Sequence, residues 1–218
     1  MSTLSKTTLD VDFGLHQINS LRMGQRQSNL LVAGIKAGMG SVTGNIKMLS
    51  LDGKIDTVIG SETAIYQAEF IDQSDSNMVA AACGQEWCPE SGLISASSVS
   101  IYDLRLSNQS GPIRKPEIQL KADSFQEFRT VNSKVIGGMR LIAAAGDQIA
   151  SVYDLRMPNR EFFDLSVCAG FYTRGPFKVK SIKFSPNGHT IATAGQNHVR
   201  MFELNDLYHE YTWIKGKG

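Results

Sequence analysis

The sequence predicts an all-β fold in which one four-stranded unit is used about four times. Three observations carry this. Four segments look alike: Asn45-Ile-Lys-Met-Leu-Ser-Leu51, Ser98-Val-Ser-Ile-Tyr-Asp-Leu104, Ile149-Ala-Ser-Val-Tyr-Asp-Leu155 and His198-Val-Arg-Met-Phe-Glu-Leu204. Their final leucines stand 53, 51 and 49 residues apart, a near-constant period of the kind that marks repeat architectures. Each copy alternates in side-chain character, the period-2 pattern of a strand. No segment has helical periodicity over more than a turn or two.

Each unit contains further strand runs. Upstream of each copy lies a run rich in small apolar residues: Leu30-Leu-Val-Ala-Gly-Ile35, Met78-Val-Ala-Ala-Ala-Cys83, Arg140-Leu-Ile-Ala-Ala-Ala145 and Thr190-Ile-Ala-Thr-Ala194. Small side chains suit a strand buried on both faces between close-packed sheets. Turn residues such as Gly146-Asp147 and Gly195-Gln-Asn197 separate the two runs. A third strand is expected earlier in each unit, at residues 16–21, 65–70, 128–131 and 179–184. A weaker fourth is expected after each leucine, at residues 54–58, 117–120, 161–165 and 211–214. Ser185-Pro-Asn-Gly188 is a turn signal inside the last unit. Residues 8–13 alternate weakly and suggest one more strand outside the first unit. Four antiparallel strands per unit, stacked side by side, are the blades of a β-propeller. The units fall at residues 14–60, 64–122, 126–166 and 177–215 of a single propeller segment.

The last unit, Lys178 to Leu204 through Ser185-Pro-Asn-Gly188, resembles a WD repeat. Tyr102-Asp-Leu-Arg105 and Tyr153-Asp-Leu-Arg156 resemble that family's Trp-Asp ending with Tyr in place of Trp. The resemblance covers units two to four well and unit one loosely. Two features depart from the family pattern: no unit has a Gly-His dipeptide before its first strand, and none ends in Trp-Asp. The His–Asp bracing tetrad of that family is therefore mostly missing, and packing of apolar faces is expected to hold the blades. Most members of the family close with seven blades; four units at this spacing use the whole chain. An incomplete or open ring is expected, its last blade exposing an apolar flank. Another chain would supply the missing blades, or truncation would have removed them from the C-terminal side.

Composition limits the function. The 218 residues carry 22 Lys+Arg against 21 Asp+Glu, a net charge of +1, and 42% are hydrophobic. That hydrophobic share fills a core. The charge balance argues against a dedicated nucleic-acid binder, although residues 101–218 hold the basic excess. Three cysteines fit a reducing compartment better than a disulfide framework. No apolar run reaches the ~18 residues of a membrane span, and no signal-peptide stretch opens the chain. A cytoplasmic or nuclear protein is expected, with Asn108-Gln-Ser110 as a polar loop.

No residue set supports catalysis. Gly34, Gly38, Gly40 and Gly44 lack G-x-G-x-x-G spacing, and a strand rather than a helix follows them. They read as an extended hairpin loop. Cys83 and Cys88 are only two of the four ligands a zinc site needs; Cys83 fits a buried strand position. The four histidines stand apart, and no G-x-S-x-G or phosphate-loop motif is present. No cofactor or metal is expected. Partner-binding candidates are Tyr102, Asp103, Arg105, Tyr153, Asp154, Arg156 and Trp87. Arg105 and Arg156 should emerge on one rim of adjacent blades, with forked guanidinium groups able to meet carboxylates. The WD-repeat resemblance implies that paired copies of this motif can dock a substrate receptor onto the adaptor of a cullin–RING ubiquitin ligase. Trp87, on a loop, is a binding anchor or packs over a blade rim. Arg174, Lys178, Lys180 and Lys183 read as solvent-facing rim charge, with contact to an acidic peptide or RNA as the other reading. The expected function is a protein-interaction scaffold; the ligase receptor is the first alternative, and an RNA- or chromatin-associated propeller the weaker one.

Overall fold

The structure is a computed structural model that describes residues 12–15, 17–24, 30–38, 41–50, 54–72, 75–85, 87–88, 93–94, 96–106, 116–122, 126–158, 161–165, 178–195 and 198–205. It is all-β, with four antiparallel sheets in chain order. Sheet I runs β1 (Gln17–Met23), β2 (Leu30–Gly38), β3 (Ser41–Leu49) and β4 (Ile55–Ser61). Sheet II begins with β5 (Ile65–Asp72) and β6 (Asp75–Cys83). A separate hairpin of β7 (Trp87–Cys88) and β8 (Leu93–Ile94) intervenes, then β9 (Ser98–Asp103) and β10 (Ile118–Lys121) complete the sheet. Sheet III holds β11 (Glu127–Ile136), β12 (Met139–Asp147), β13 (Ala150–Asp154) and β14 (Phe163–Asp164). Sheet IV shows β15 (Val179–Phe184), β16 (Thr190–Gly195) and β17 (Val199–Glu203). No helix among the described residues is long and apolar enough to cross a membrane.

Several local expectations change. Gly34, Gly38 and Gly44 of unit one stand in ladder rather than loop, with β2 and β3 pairing from Leu30↔Leu49 to Gly38↔Ser41, and Gly40 lies outside the described residues. The segment after Cys83, expected to be a plain loop, contains the β7–β8 hairpin. Asp12 and Phe13 are not strand, while residues 8–11 and the expected strand at 211–214 lie outside the described residues.

The four sheets repeat at the level of register. Each first strand has a β-bulge at the same point: Ile18/Ser20, Ile65/Gln67, Phe128/Thr130 and Val179/Ser181. Just past it an alanine of the second strand faces Ser20, Gln67, Thr130 or Ser181: Ala33, Ala82, Ala145 and Ala194. At the bulge the backbones come close. A Cβ on Gly34 would run into the Gln17 carbonyl, and one on Gly146 into that of Glu127. Glycine serves here by close approach rather than by unusual φ.

Three cores lie between successive sheets. On β6, Val79, Ala81 and Cys83 pack toward sheet I, whereas Ala80 and Ala82 pack toward sheet III. On β12, Ile142 and Ala144 meet sheet II, whereas Leu141, Ala143 and Ala145 meet sheet IV. All ten are at most 2% exposed, as the small-residue strands predict. Apolar packing alone does not join the sheets. Asn19 Nδ2 donates to the Ile65 carbonyl (2.8 Å) across I–II, and Gln67 Nε2 to that of Val131 (2.8 Å) across II–III. The Phe184 N–H donates to Asn132 Oδ1 (2.7 Å) across III–IV. Ser97 Oγ donates to the Cys83 carbonyl (2.5 Å) and accepts from the Phe128 N–H (2.9 Å). The expectation that apolar faces hold the sheets is thus incomplete: side-chain to backbone hydrogen bonds between first strands satisfy buried polar groups at the same junctions.

Among the described residues, sheet IV leaves an apolar face exposed. Val99 and Ile101 in β9, and Ala150 and Val152 in β13, are 0% exposed. Their register counterparts in β17, Val199 and Met201, are 74% and 72% exposed. Leu21 and Met23 of β1, at the edge of sheet I, are also exposed, whereas Val32, opposite Leu21 on the neighbouring strand, is 0% exposed.

Candidate functional site

Residues opposite one another in an antiparallel ladder share a sheet face. That rule singles out one position per sheet. Arg22 pairs with Leu31, Glu69 with Ala80, Asn132 with Ala143 and Lys183 with Ala192. Following the ladders outward gives Met48, Ile101, Val152 and Met201, each three residues before the repeat's final leucine. The four side chains are therefore repeat-equivalent, and they meet. Glu69 Oε2 lies 3.0 Å from Lys183 Nζ and 3.5 Å from Arg22 Nε. Asn132 Nδ2 donates to Glu69 Oε1, and the Ser133 N–H reaches the same oxygen at 3.3 Å. One buried carboxylate of sheet II thus contacts the first strands of the other three sheets.

This cluster borders a cavity of about 630 Å³ lined also by Met23, Phe70, Lys134 and Pro186. Lys134 Nζ donates to the Pro186 carbonyl (2.6 Å). The reading of Lys183 as rim charge is corrected here: alternation along β15 brings it to the buried Glu69. Lys178 and Lys180 are exposed as expected, and Lys178 Nζ lies 3.3 Å from Asp147 Oδ2.

The two Tyr-Asp-Leu-Arg segments adopt one geometry. Arg105 N–H donates to Asp103 Oδ1 (3.0 Å), and its Nε and Nη2 reach the same carboxylate at 2.9 and 2.5 Å. Arg156 repeats this on Asp154 at 3.0, 2.9 and 2.5 Å. The guanidinium fork is thus folded back on its own motif's aspartate rather than presented to a partner's carboxylate. Both arginine side chains keep an outer surface, 62% and 58% exposed. Tyr102 and Tyr153 are buried, Tyr102 between sheets I and II and Tyr153 between II and III. They are core residues and leave the arginines as the motif's accessible part. Trp87 belongs to the β7–β8 hairpin, opposite Ile94.

Electrostatics follow burial. The hydrogen bonds from Arg156 hold the buried Asp154 carboxyl below the usual carboxylate range, against the opposing effect of burial. A depressed folded-state pKa adds stability above the unfolded value, near 3.9, and that stability is lost as pH falls through the folded value. Asp154→Asn is expected to lower the unfolding free energy by about 1–2 kcal/mol at pH 7. Its deficit against the parent chain should shrink below about pH 4; urea unfolding between pH 7 and pH 3 measures both. Tyr66, whose hydroxyl donates to Glu127 Oε1 (2.7 Å) across sheets II and III, is pushed up to about 12 by burial and by that carboxylate. Burial also pushes the Cys83 thiol up, which makes it a poor nucleophile.

Among the described residues no three of His, Cys, Asp and Glu converge as a metal site requires. No family model matches the chain, and no curated protein matches it.

Proposed function

We propose that the chain is an arc of propeller blades of the WD-repeat type that acts as a non-catalytic interaction scaffold. Its exposed apolar face on sheet IV is closed by sheet I of a second copy of the chain. The observation behind this is the exposure of Val199 and Met201, whose counterparts in sheets II and III are fully buried. Three successive interfaces, I–II, II–III and III–IV, already use the equivalent faces. Sheet IV offers the next such face, and the β1 edge of sheet I, where Leu21 and Met23 are exposed, the surface that would meet it. Two copies so joined give eight sheets around one axis, within the four to eight blades that propellers use, and the contact is satisfied twice by one two-fold. The rigid ring then presents rim residues, Arg105 and Arg156 among them, to further partners.

Sedimentation velocity tests this. The parent chain is expected to sediment as a dimer at about 10 μM, a concentration suited to a micromolar interface. Val199→Lys with Met201→Lys should give a folded monomer, because two ammonium groups would have to be desolvated in the contact. A compact monomeric parent chain at ten times that concentration contradicts the proposal.

A further inference from the structure

The cavity beside Glu69 carries more charge than the sheet junction consumes. Among the described residues its lining holds Arg22, Lys134 and Lys183 against the single carboxylate of Glu69, an excess of two positive charges. Arg22 Nε is buried without a hydrogen-bond acceptor; Glu69 Oε2, at 3.5 Å, gives it only an ion pair. A buried donor left in that state normally has a partner. Each lysine ammonium has three N–H groups. The structure shows Lys183 with Glu69 at 3.0 Å and Lys134 with the Pro186 carbonyl at 2.6 Å, which leaves donor capacity on both.

The space is large enough for more than water. About 630 Å³ lies within the roughly 300–1,000 Å³ typical of ligand pockets. Those pockets are mainly apolar, whereas here most of the lining is charged or polar. An apolar ligand would leave the cations desolvated, so the occupant must be an anion. Its charge follows from the excess: a carboxylate supplies one negative charge, a phosphate monoester about 1.5 to 2 at pH 7.

We propose that this cavity binds a phosphate monoester dianion, held by Arg22, Lys134 and Lys183 next to the Glu69 junction. The group would come from a small free phosphate ester or from a phosphorylated side chain of a partner, and the same three cations serve either source. All the lining residues are in one chain; Met23 also belongs to the surface proposed to meet the second copy, and phosphate binding is read separately from sedimentation.

Isothermal titration with inorganic phosphate and with a short phosphoserine peptide tests it, with circular dichroism to confirm folding. Binding of at least one probe is expected with a Kd below about 1 mM, the weak end of specific recognition, and it should weaken as salt is raised. If the peptide binds better by about tenfold, the group comes from a partner chain; comparable binding points to a free ester. Lys134→Ala, whose ammonium touches only the Pro186 carbonyl among the described residues, should weaken binding by about tenfold without unfolding the chain; Lys183→Met should do so more strongly. A glutamate in place of the phosphoserine should lose about tenfold, since one charge of the excess then goes unanswered. No binding of either probe up to about 10 mM, equal binding of the glutamate peptide, or binding unchanged in a folded Lys134→Ala chain overturns the proposal.

Discussion

Phe128→Ala is expected to destabilise the fold by about 3–5 kcal/mol, the range for emptying a buried aromatic site. Phe128 is 0% exposed and lies in the core between sheets II and III. Its ring meets Tyr153 edge-on, with centroids 6.3 Å apart and planes at 75°, a geometry that adds to simple burial. The site cannot collapse easily, because its backbone is pinned. Phe128 opens the β-bulge of its strand, its N–H is held by Ser97 Oγ, and Gly146 lies against the Glu127 carbonyl. The void therefore remains, and the cost falls toward the upper end. Equilibrium urea unfolding measures it as a lowered midpoint with little change in slope. Phe128→Leu, which keeps most of the volume, should recover more than half of the loss.

Glu69→Ala should have the second largest effect. Removing this carboxylate leaves Asn132 Nδ2 and the Ser133 N–H without their acceptor and Lys183 without its counter-charge. Breaking a fully buried pair costs about 3–5 kcal/mol. Here the Arg22 and Lys183 side chains are 36% and 41% exposed. Water can take over part of their solvation, so about 2–3 kcal/mol is expected. Glu69→Gln tells hydrogen bonding from charge: its Oε1 can still accept from Asn132, so it should recover about half of the deficit. Urea unfolding of both variants gives the comparison.

The strand order of the fold was legible because the segments ending at Leu51, Leu104, Leu155 and Leu204 keep one spacing and one alternation. Runs such as Val79-Ala-Ala-Ala-Cys83 also announced burial on both faces. Turn and ladder were harder to tell apart at Gly34, Gly38 and Gly44, since glycine serves loops and close backbone approach alike. The site was less legible. Arg22, Glu69, Asn132 and Lys183 are four different residue types, so no identity repeats between units. Only the shared bulge and ladder register make them equivalent. A polar–apolar–polar triplet was present in each first strand, at residues 20–22, 67–69, 130–132 and 181–183, and would have pointed to them. The arginines of the Tyr-Asp-Leu-Arg segments were visible as a motif. Their partner was not, because an aspartate two residues away competes for the guanidinium with any external carboxylate, and composition gives no measure of that competition.

The most direct test of the stacked, register-equivalent sheets is a crystallographic structure of the chain at a resolution that places side chains. Electron density should show the Glu69 carboxylate in contact with Arg22, Asn132 and Lys183, each from a different sheet. Density that instead joins β4 to β5, or β14 to β15, edge to edge in one continuous sheet, with those four residues far apart, would contradict it.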